Sequence, residues 1–432
     1  MLNSIVFFIC LMFSFDVSCN PQEYRCSSIE KLDNDISVVF VDTTKSESIL
    51  VMLCVSAGST DEIERNGVAN LLSKIFTKKL NDNVNALHYG SECHSYAGHD
   101  QSVYYFYGKQ SNLDGFLKNM GSVFSNFTFS NDDLDSCKQI VEQNIKSEDQ
   151  IDRAVLRRET RKALYWHSNY GVDIKGDIDG VKIISSDDIN KFKKQHYTNK
   201  RVNIIIAGNV DKKNAIELVK KYFSVQVSKE KTKINRLQEP PHHGSTIKIM
   251  KYSSQAAVPI VEFYWRIPNY RIEKNKALNA EIFINSLSDI QQKSLIERQK
   301  IAATISFSYS FWNYEYGDFC MTVTAKNSAN INDLITAVLS EMKCIASDGI
   351  TKEQAEAASK KLSASSNLVG MDMLDVVDMF SKRLGSFYDF EFVRGYSLFV
   401  RKYDLDEINA HAKEIFRQDP SVISVIIPEN RK

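Results

Sequence analysis

Three side chains near the start of the chain stand where a helix can carry hydrolytic chemistry. Asn70, Ser73 and Lys74 lie at i, i+3 and i+4 within Gly-Val-Ala-Asn-Leu-Leu-Ser-Lys-Ile-Phe, residues 67–76, so a helix brings them to one side. Val68, Leu71, Leu72, Ile75 and Phe76 recur at the spacing of a separate, buried face. Two histidines and a glutamate at the first set of offsets would hold a divalent metal and deprotonate water. Here those offsets carry an amide, a hydroxyl and an ammonium. A protonated ammonium has no lone pair to give a metal ion, and its charge repels one.

The elements that must position these residues belong to a long chain. Its 432 residues suffice for two sizeable domains. The 54 basic and 54 acidic residues cancel, so net charge gives no argument for nucleic acid or an anionic membrane as a partner. Ile5 to Phe15 is an apolar run with the length of a secretory h-region, too short to span a bilayer. Val17 and Cys19 fit a cut before Asn20. Residues 1–19 are therefore expected to be a signal peptide and the protein to be exported, periplasmic or extracytoplasmic, with no membrane span in the mature chain. A lipid on Cys19 is the alternative. Of eight cysteines, Cys54 lies in an apolar run that reads as core, and the set contains no C-x-x-C pair.

An internal repeat organises the rest. Ser186-Asp187-Asp188-Ile189 opens a helix that leads to the strand Val202–Ala207, and Asp404-Leu405-Asp406-Glu407 opens another that leads to the strand Val422–Ile427. The period, about 220 residues, suits two homologous domains. Leu237-Gln238-Glu239-Pro240-Pro241-His242-His243-Gly244 reads as a solvated connector. The expected division is an N-terminal domain over 20–232, a linker over 233–248 and a C-terminal domain over 249–432. Ile36–Val41 and Ser48–Val55 read as a hairpin, and Ser130 as the cap of a helix to about Lys146. Hairpins and long helices in both halves predict an α+β fold: two homologous αβ domains, each a mostly antiparallel sheet with helices packed on it.

With Ala57-Gly58-Ser59 and Glu62 ahead of the altered helix, Ala163-Leu164-Tyr165 with Asn169-Tyr170-Gly171, Tyr197-Thr198-Asn199 before Ile206-Ala207-Gly208-Asn209, and Leu295 to Ala302, the ordered set of segments resembles the insulinase/pitrilysin metallopeptidases, in particular the branch of the mitochondrial processing peptidases and their bacterial relatives. The resemblance spans essentially the whole mature chain. It implies a clamshell of two lobes, with an extended peptide held between them by strand addition to a sheet edge. It also implies that the two histidine ligands fall on Asn70 and Lys74, the water-activating glutamate on Ser73 and the third ligand, a glutamate, on Gln143. All four are altered. An arginine and a tyrosine that some inactive subunits lend to substrate fall on Ile290 and Ala303, so that contribution is expected to be lost as well. Glu92, His94 and Tyr96 are expected to line the peptide channel.

Other sites read as structural. Cys93 and His94 are neighbours in a strand and point to opposite faces, and His99 adds no ligand spacing. His196 at a helix end suits a cation at the helix dipole. The expectation is a catalytically inactive relative with no bound cofactor, zinc being expected only if the ligands are relocated. It would act as the non-catalytic or peptide-holding partner of an active zinc-peptidase homologue, or as a homodimer. A stand-alone peptide-binding scaffold and an active zinc endopeptidase are the alternatives.

Overall fold

The computed structural model describes residues 25–42, 47–83, 93–223, 236–240, 245–314, 316–326, 330–365, 373–386 and 390–429. The signal segment, Glu92 and the His242-His243 pair lie outside these residues. The first lobe holds β1 (Arg25–Lys31), β2 (Ser37–Asp42), β3 (Ser48–Val55), α1 (Val68–Asn83), β4 (His94–Ala97) and β5 (Ser102–Lys109). It continues with α2 (Leu113–Ser125), α3 (Asn131–Asp149), α4 (Asp152–Leu164), α5 (Ile178–Ile183), α6 (Ser186–His196), β6 (Val202–Ala207) and α7 (Lys212–Tyr222). The second lobe runs β7 (Ile247–Ser253), β8 (Ile260–Pro268), α8 (Lys274–Gln291), a π-helical turn at Gln292–Arg298, β9 (Ala302–Tyr309) and β10 (Tyr316–Ala325). Then come α9 (Ile331–Asp348), α10 (Lys352–Ser365), α11 (Met373–Gly385), α12 (Phe390–Phe399), α13 (Leu405–Phe416) and β11 (Val422–Pro428).

The two sheets repeat one topology. Their orders are β1-β2-β6-β3-β5-β4 and β7-β11-β8-β10-β9. In both, the last strand of the lobe pairs parallel to the first of the shared five and antiparallel to the next. This overturns the hairpin expected from 36–55. β6 enters between β2 and β3, because Val202-Asn203-Ile204-Ile205-Ile206-Ala207 is almost wholly buried and belongs at the centre of a sheet.

Each sheet is covered by its own lobe on one face and by a borrowed helix on the other. Val51, Leu53, Tyr104 and Phe106 pack with Leu72, Ile75 and Phe76 of α1. The opposite face, with Val39, Leu50, Met52 and Ile205, shares a core with Val376, Val377 and Phe380 of α11, which belongs to the second lobe. The Cys54 thiol reaches the Ser381 carbonyl, and the Ser56 hydroxyl donates to the Leu384 carbonyl at 3.2 Å. In return, Leu164 of α4, from the first lobe, packs with Tyr264 and Val422 of the second sheet. At the far end of α4, Asp152 pairs with Lys251 of β7 at 3.1 Å. Neither sheet can bury both faces without the other lobe, so the halves are interlocked.

Candidate functional site

The helix α1 is fixed at its N-terminus by a buried carboxylate. Glu62 accepts from the backbone N–H of Gly67 at 2.9 Å and of Ala69 at 2.7 Å, which answers two of the donors every helix start leaves open. Burial nevertheless pushes its carboxyl up to about 8, against the pull of those two N–H groups. Gly67 has φ of 94°, and a Cβ there would meet the Lys175 carbonyl at 2.6 Å. Only glycine fits this entry to the helix.

From there α1 runs beside β4, the edge strand of the first sheet. Asn81 accepts from the Cys93 N–H at 2.8 Å and donates to its carbonyl at 3.3 Å. One turn back, the Thr77 and Ser95 hydroxyls share a hydrogen bond at 2.5 Å. Four helix residues and two strand residues both advance by about 6 Å, so the next turn of α1, with Ser73 and Lys74, is level with Ala97. Asn70 lies one turn further on, in line with Thr77.

The three singled-out side chains diverge around that stripe. Ser73 is 1% exposed and sits by the Tyr104 phenol, which shares a 2.7 Å hydrogen bond with Tyr197. Asn70 is buried. Lys74 is half-buried on the opposite flank, toward α3, where its charge is felt at the Cys137 thiol. On α3, Gln143 is exposed, whereas Val141 and Ile145 are buried. Asn144 is exposed as well. Glu142 is turned to Lys146 at 3.9 Å. Among the described residues no three His, Cys, Asp or Glu side chains gather as a metal site would need.

The expected channel residues are spread over both lobes. His94 is exposed on β4. Tyr96 is half-buried, with its hydroxyl bonded to Ser381 of α11. Ile290, near the end of α8, packs half-buried against the core of the second lobe. Ala303 is exposed on β9, the edge strand of the second sheet.

A buried charge cluster was not legible from spacing. Arg236 is almost wholly buried and bonds Asp61 at 2.7 Å and Asp100 at 2.6 Å. Arg201 joins Asp61 at 3.0 Å. Burial would raise the Asp61 carboxyl, but the Arg236 and Arg201 charges outweigh it and hold Asp61 below the usual range. Asp100 also accepts from the Tyr170 hydroxyl at 2.7 Å, from the Tyr314 N–H at 3.0 Å and from the Ser386 hydroxyl at 3.3 Å. The cluster thus ties the first lobe, the connector and the second lobe together. It corrects two expectations. The connector is not simply solvated, because Arg236 is buried in this cluster and Glu239 pairs with Arg266 at 3.1 Å. His196 is not a cation at a helix end: burial drives it down to about 4 despite Asp61, and neighbouring Arg201 contributes. A cleft of about 130 Å³ opens beside this cluster, lined in part by Glu62, Arg65, Lys191 and His196.

Comparison with known proteins matches this architecture. Residues 37–177 match insulinase (peptidase family M16), and residues 184–362 match the peptidase M16 inactive domain. The chain is 21% identical to the uncharacterized zinc protease YmxG of Bacillus subtilis, over 77% of this chain and 81% of that one. It is 20% identical to the mitochondrial-processing peptidase subunit beta of Saccharomyces cerevisiae, over 77% of this chain and 76% of that one. The crystal structure of a protease from Helicobacter pylori superposes with a TM-score of 0.80 at 18% identity, covering 93% of this chain and 99% of that one. Two lobes of one topology, interlocked by exchanged helices and matched along their length by this family, make the chain a member of the M16 insulinase-type peptidases.

Proposed function

We propose that this chain is a non-catalytic M16 protein that holds extended peptides and works, outside the cytoplasm, beside an active homologue. One observation carries the reading: the helix positions at which the family resemblance expects two ligands and a base present Asn70, Lys74 and Ser73. A zinc centre needs three N, O or S donors and an open water position. An amide oxygen is a poor donor, a hydroxyl buried against Tyr104 is no general base, and an ammonium opposes the ion. The residues present do not fit the metal, so no hydrolytic step is derived through it. The partner is suggested by the yeast relative, which is named as a subunit. The name of the Bacillus subtilis relative, a zinc protease, favours the competing reading of an active enzyme with relocated ligands.

Metal analysis of the purified full chain, with peptide hydrolysis measured with and without a chelator, decides between the two. The expected result is no stoichiometric zinc and no chelator-sensitive cleavage. Zinc at one per chain together with chelator-sensitive cleavage overturns the proposal. Isolation from the native cell should recover a second M16 chain; recovery of this chain alone removes the pairing part.

A further inference from the structure

The two faces of the second sheet differ in chemistry. Val261, Phe263, Met321 and Val323 belong to the core beneath the lobe's own helices, and the residues that alternate with them carry the other face. There Glu262 of β8 lies opposite Thr322 of β10, and Thr322 lies opposite Ser306 of β9, so the three share one row across the sheet. α4 crosses this face on the β7 and β11 side and leans two arginines toward the row. Arg153 donates to one Glu262 oxygen at 2.8 Å, and Arg157 stands 3.9 Å from it. The Tyr264 hydroxyl donates to the other oxygen at 2.7 Å. Glu262 is buried, but past it the row opens: Thr322 is half-buried and Ser306 exposed. The guanidinium donors are not used up. Arg153 Nε is buried with no acceptor among the described residues, and the Arg157 side chain is 58% exposed.

We propose that Arg157 and Arg153, with the Thr322 and Ser306 hydroxyls, form a receptor for an acidic side chain of a held peptide. This inference rests on the peptide-holding reading above and names the class of peptide. Two guanidiniums face one carboxylate, so one positive charge is left uncancelled, while Lys251 and Asp152 nearby cancel each other at 3.1 Å. Both Glu262 oxygens are already engaged, by Arg153 and Tyr264, so the sheet itself answers that charge. A guanidinium is a planar fork that matches a carboxylate and gains charge-assisted hydrogen bonds from it, whereas an amide in the same place accepts only as a neutral group. The two hydroxyls stand about one strand spacing apart, roughly 5 Å, and both can donate to the same ligand. A cationic side chain would be repelled by Arg157. The ligand class is therefore peptides that carry Asp or Glu, in preference to their amide or basic counterparts.

The test uses the full chain, immobilised, and two random-sequence peptide pools that differ only in carrying Glu or Gln at the same positions. Retained peptides are measured by mass spectrometry, which also reports any cleavage. The expected result is roughly fivefold stronger retention of the Glu pool at low salt, shrinking as salt rises. Arg157 is the residue to vary, because its loss leaves Glu262 with Arg153. Arg157→Gln should equalise the pools, and Arg157→Lys should keep most of the preference. Lys162→Gln, an exposed cation of the same helix paired with Glu159, should leave it unchanged. Equal retention of both pools, a preference for the Gln pool, or a preference that survives Arg157→Gln overturns the proposal while the holding function stands. Retention of no peptide overturns the holding function and this inference with it. Chelator-sensitive cleavage overturns the non-catalytic reading alone, and the charge preference is then scored on the uncleaved peptides.

Discussion

Helices α1 and α8 hold the same place in their lobes, each between a central strand and the edge strand that follows, yet they treat their polar residues in opposite ways. On α8 two buried polar groups are answered by the second lobe's own helices. Glu281 accepts from the Tyr396 hydroxyl of α12 at 2.5 Å, and Asn279 bonds His411 of α13 at 2.9 Å. On α1 the polar residues turn to other elements: Thr77 and Asn81 bond residues in and beside β4, and Lys78 and Lys79 pair with Asp133 of α3. One topology thus serves two packings, with α8 closed by its own lobe's helices and α1 tied to a strand and a neighbouring helix. The buried arginines divide similarly. Arg236 is gripped by two carboxylates, whereas Arg383 lies over the rings of Trp312 at 4.4 Å and Tyr396 at 5.1 Å.

The largest effect should come from the arginines. Arg236→Ala leaves the Asp100 carboxylate buried without its cation and Asp61 with Arg201 alone, at a cost of about 3–5 kcal/mol. Arg383→Met loses ring contacts and side-chain packing in place of an ion pair, and should cost about 1–2 kcal/mol. Denaturant titration of both variants measures the gap. Equal losses would show that the two lobes value a buried guanidinium alike.

The two helix carboxylates give the next contrast. Burial pushes Glu281 up to about 7 and Glu62 up to about 8. Each folded carboxyl keeps a proton that the unfolded chain has already released. Their stabilising contribution is therefore complete below the unfolded carboxylate range and is lost as pH rises through 7 and 8. For Glu281 the loss reaches about 3 kcal/mol once it is fully ionised. Glu281→Gln keeps an acceptor for Tyr396 and should flatten this fall in stability between pH 5 and 8 by about that amount. Glu62→Gln should behave differently. An amide has one oxygen for two N–H donors, so α1 should lose about 2 kcal/mol of stability at pH 5, and because glutamine does not titrate that deficit should shrink as pH rises toward 8. A Glu62→Gln variant as stable as the parent at pH 5 would mean that the α1 entry does not rely on that carboxylate.

How far these differences were visible in the sequence depends on the range of the interaction. The α1 face, the Ser130 cap and the repeated helix–strand units were legible because spacing within one element fixes them. Family resemblance placed the lobes. The hairpin expected from 36–55 failed because polar turn residues cannot announce a strand that returns more than a hundred residues later to enter between them. The Asp61–Arg236–Asp100 cluster had no signal at all. Its members are scattered along the chain, and Arg236 stands in a stretch whose prolines read as solvent-exposed connector. His196 misled for the same reason: burial lowers it, and the groups that face it, Asp61, Arg201 and Arg236, come from distant parts of the cluster or a later turn. Gln143 shows the limit inside one helix. The resemblance fixes the neighbourhood, whereas the buried face of this helix is carried by Val141 and Ile145, with Gln143 and Asn144 both exposed.

The smallest expected effect tests the α1–β4 seam itself. Thr77 shares a hydrogen bond with the Ser95 hydroxyl and also meets the Ser73 carbonyl at 2.7 Å, so Thr77→Val keeps the shape and removes the hydroxyl that serves both. The global cost should be about 1 kcal/mol. Its local consequence should be larger in proportion, because β4 has four residues and one strand partner among the described residues, with this helix and the Tyr96–Ser381 bond to hold it. Hydrogen exchange should quicken at the β4 amides while those of β9, which takes its support from the second lobe's core, stay unchanged. A uniform rise across both edge strands would mean that the seam is not what keeps the first edge in place. The asymmetry between α1 and α8 would then lie in their charges alone.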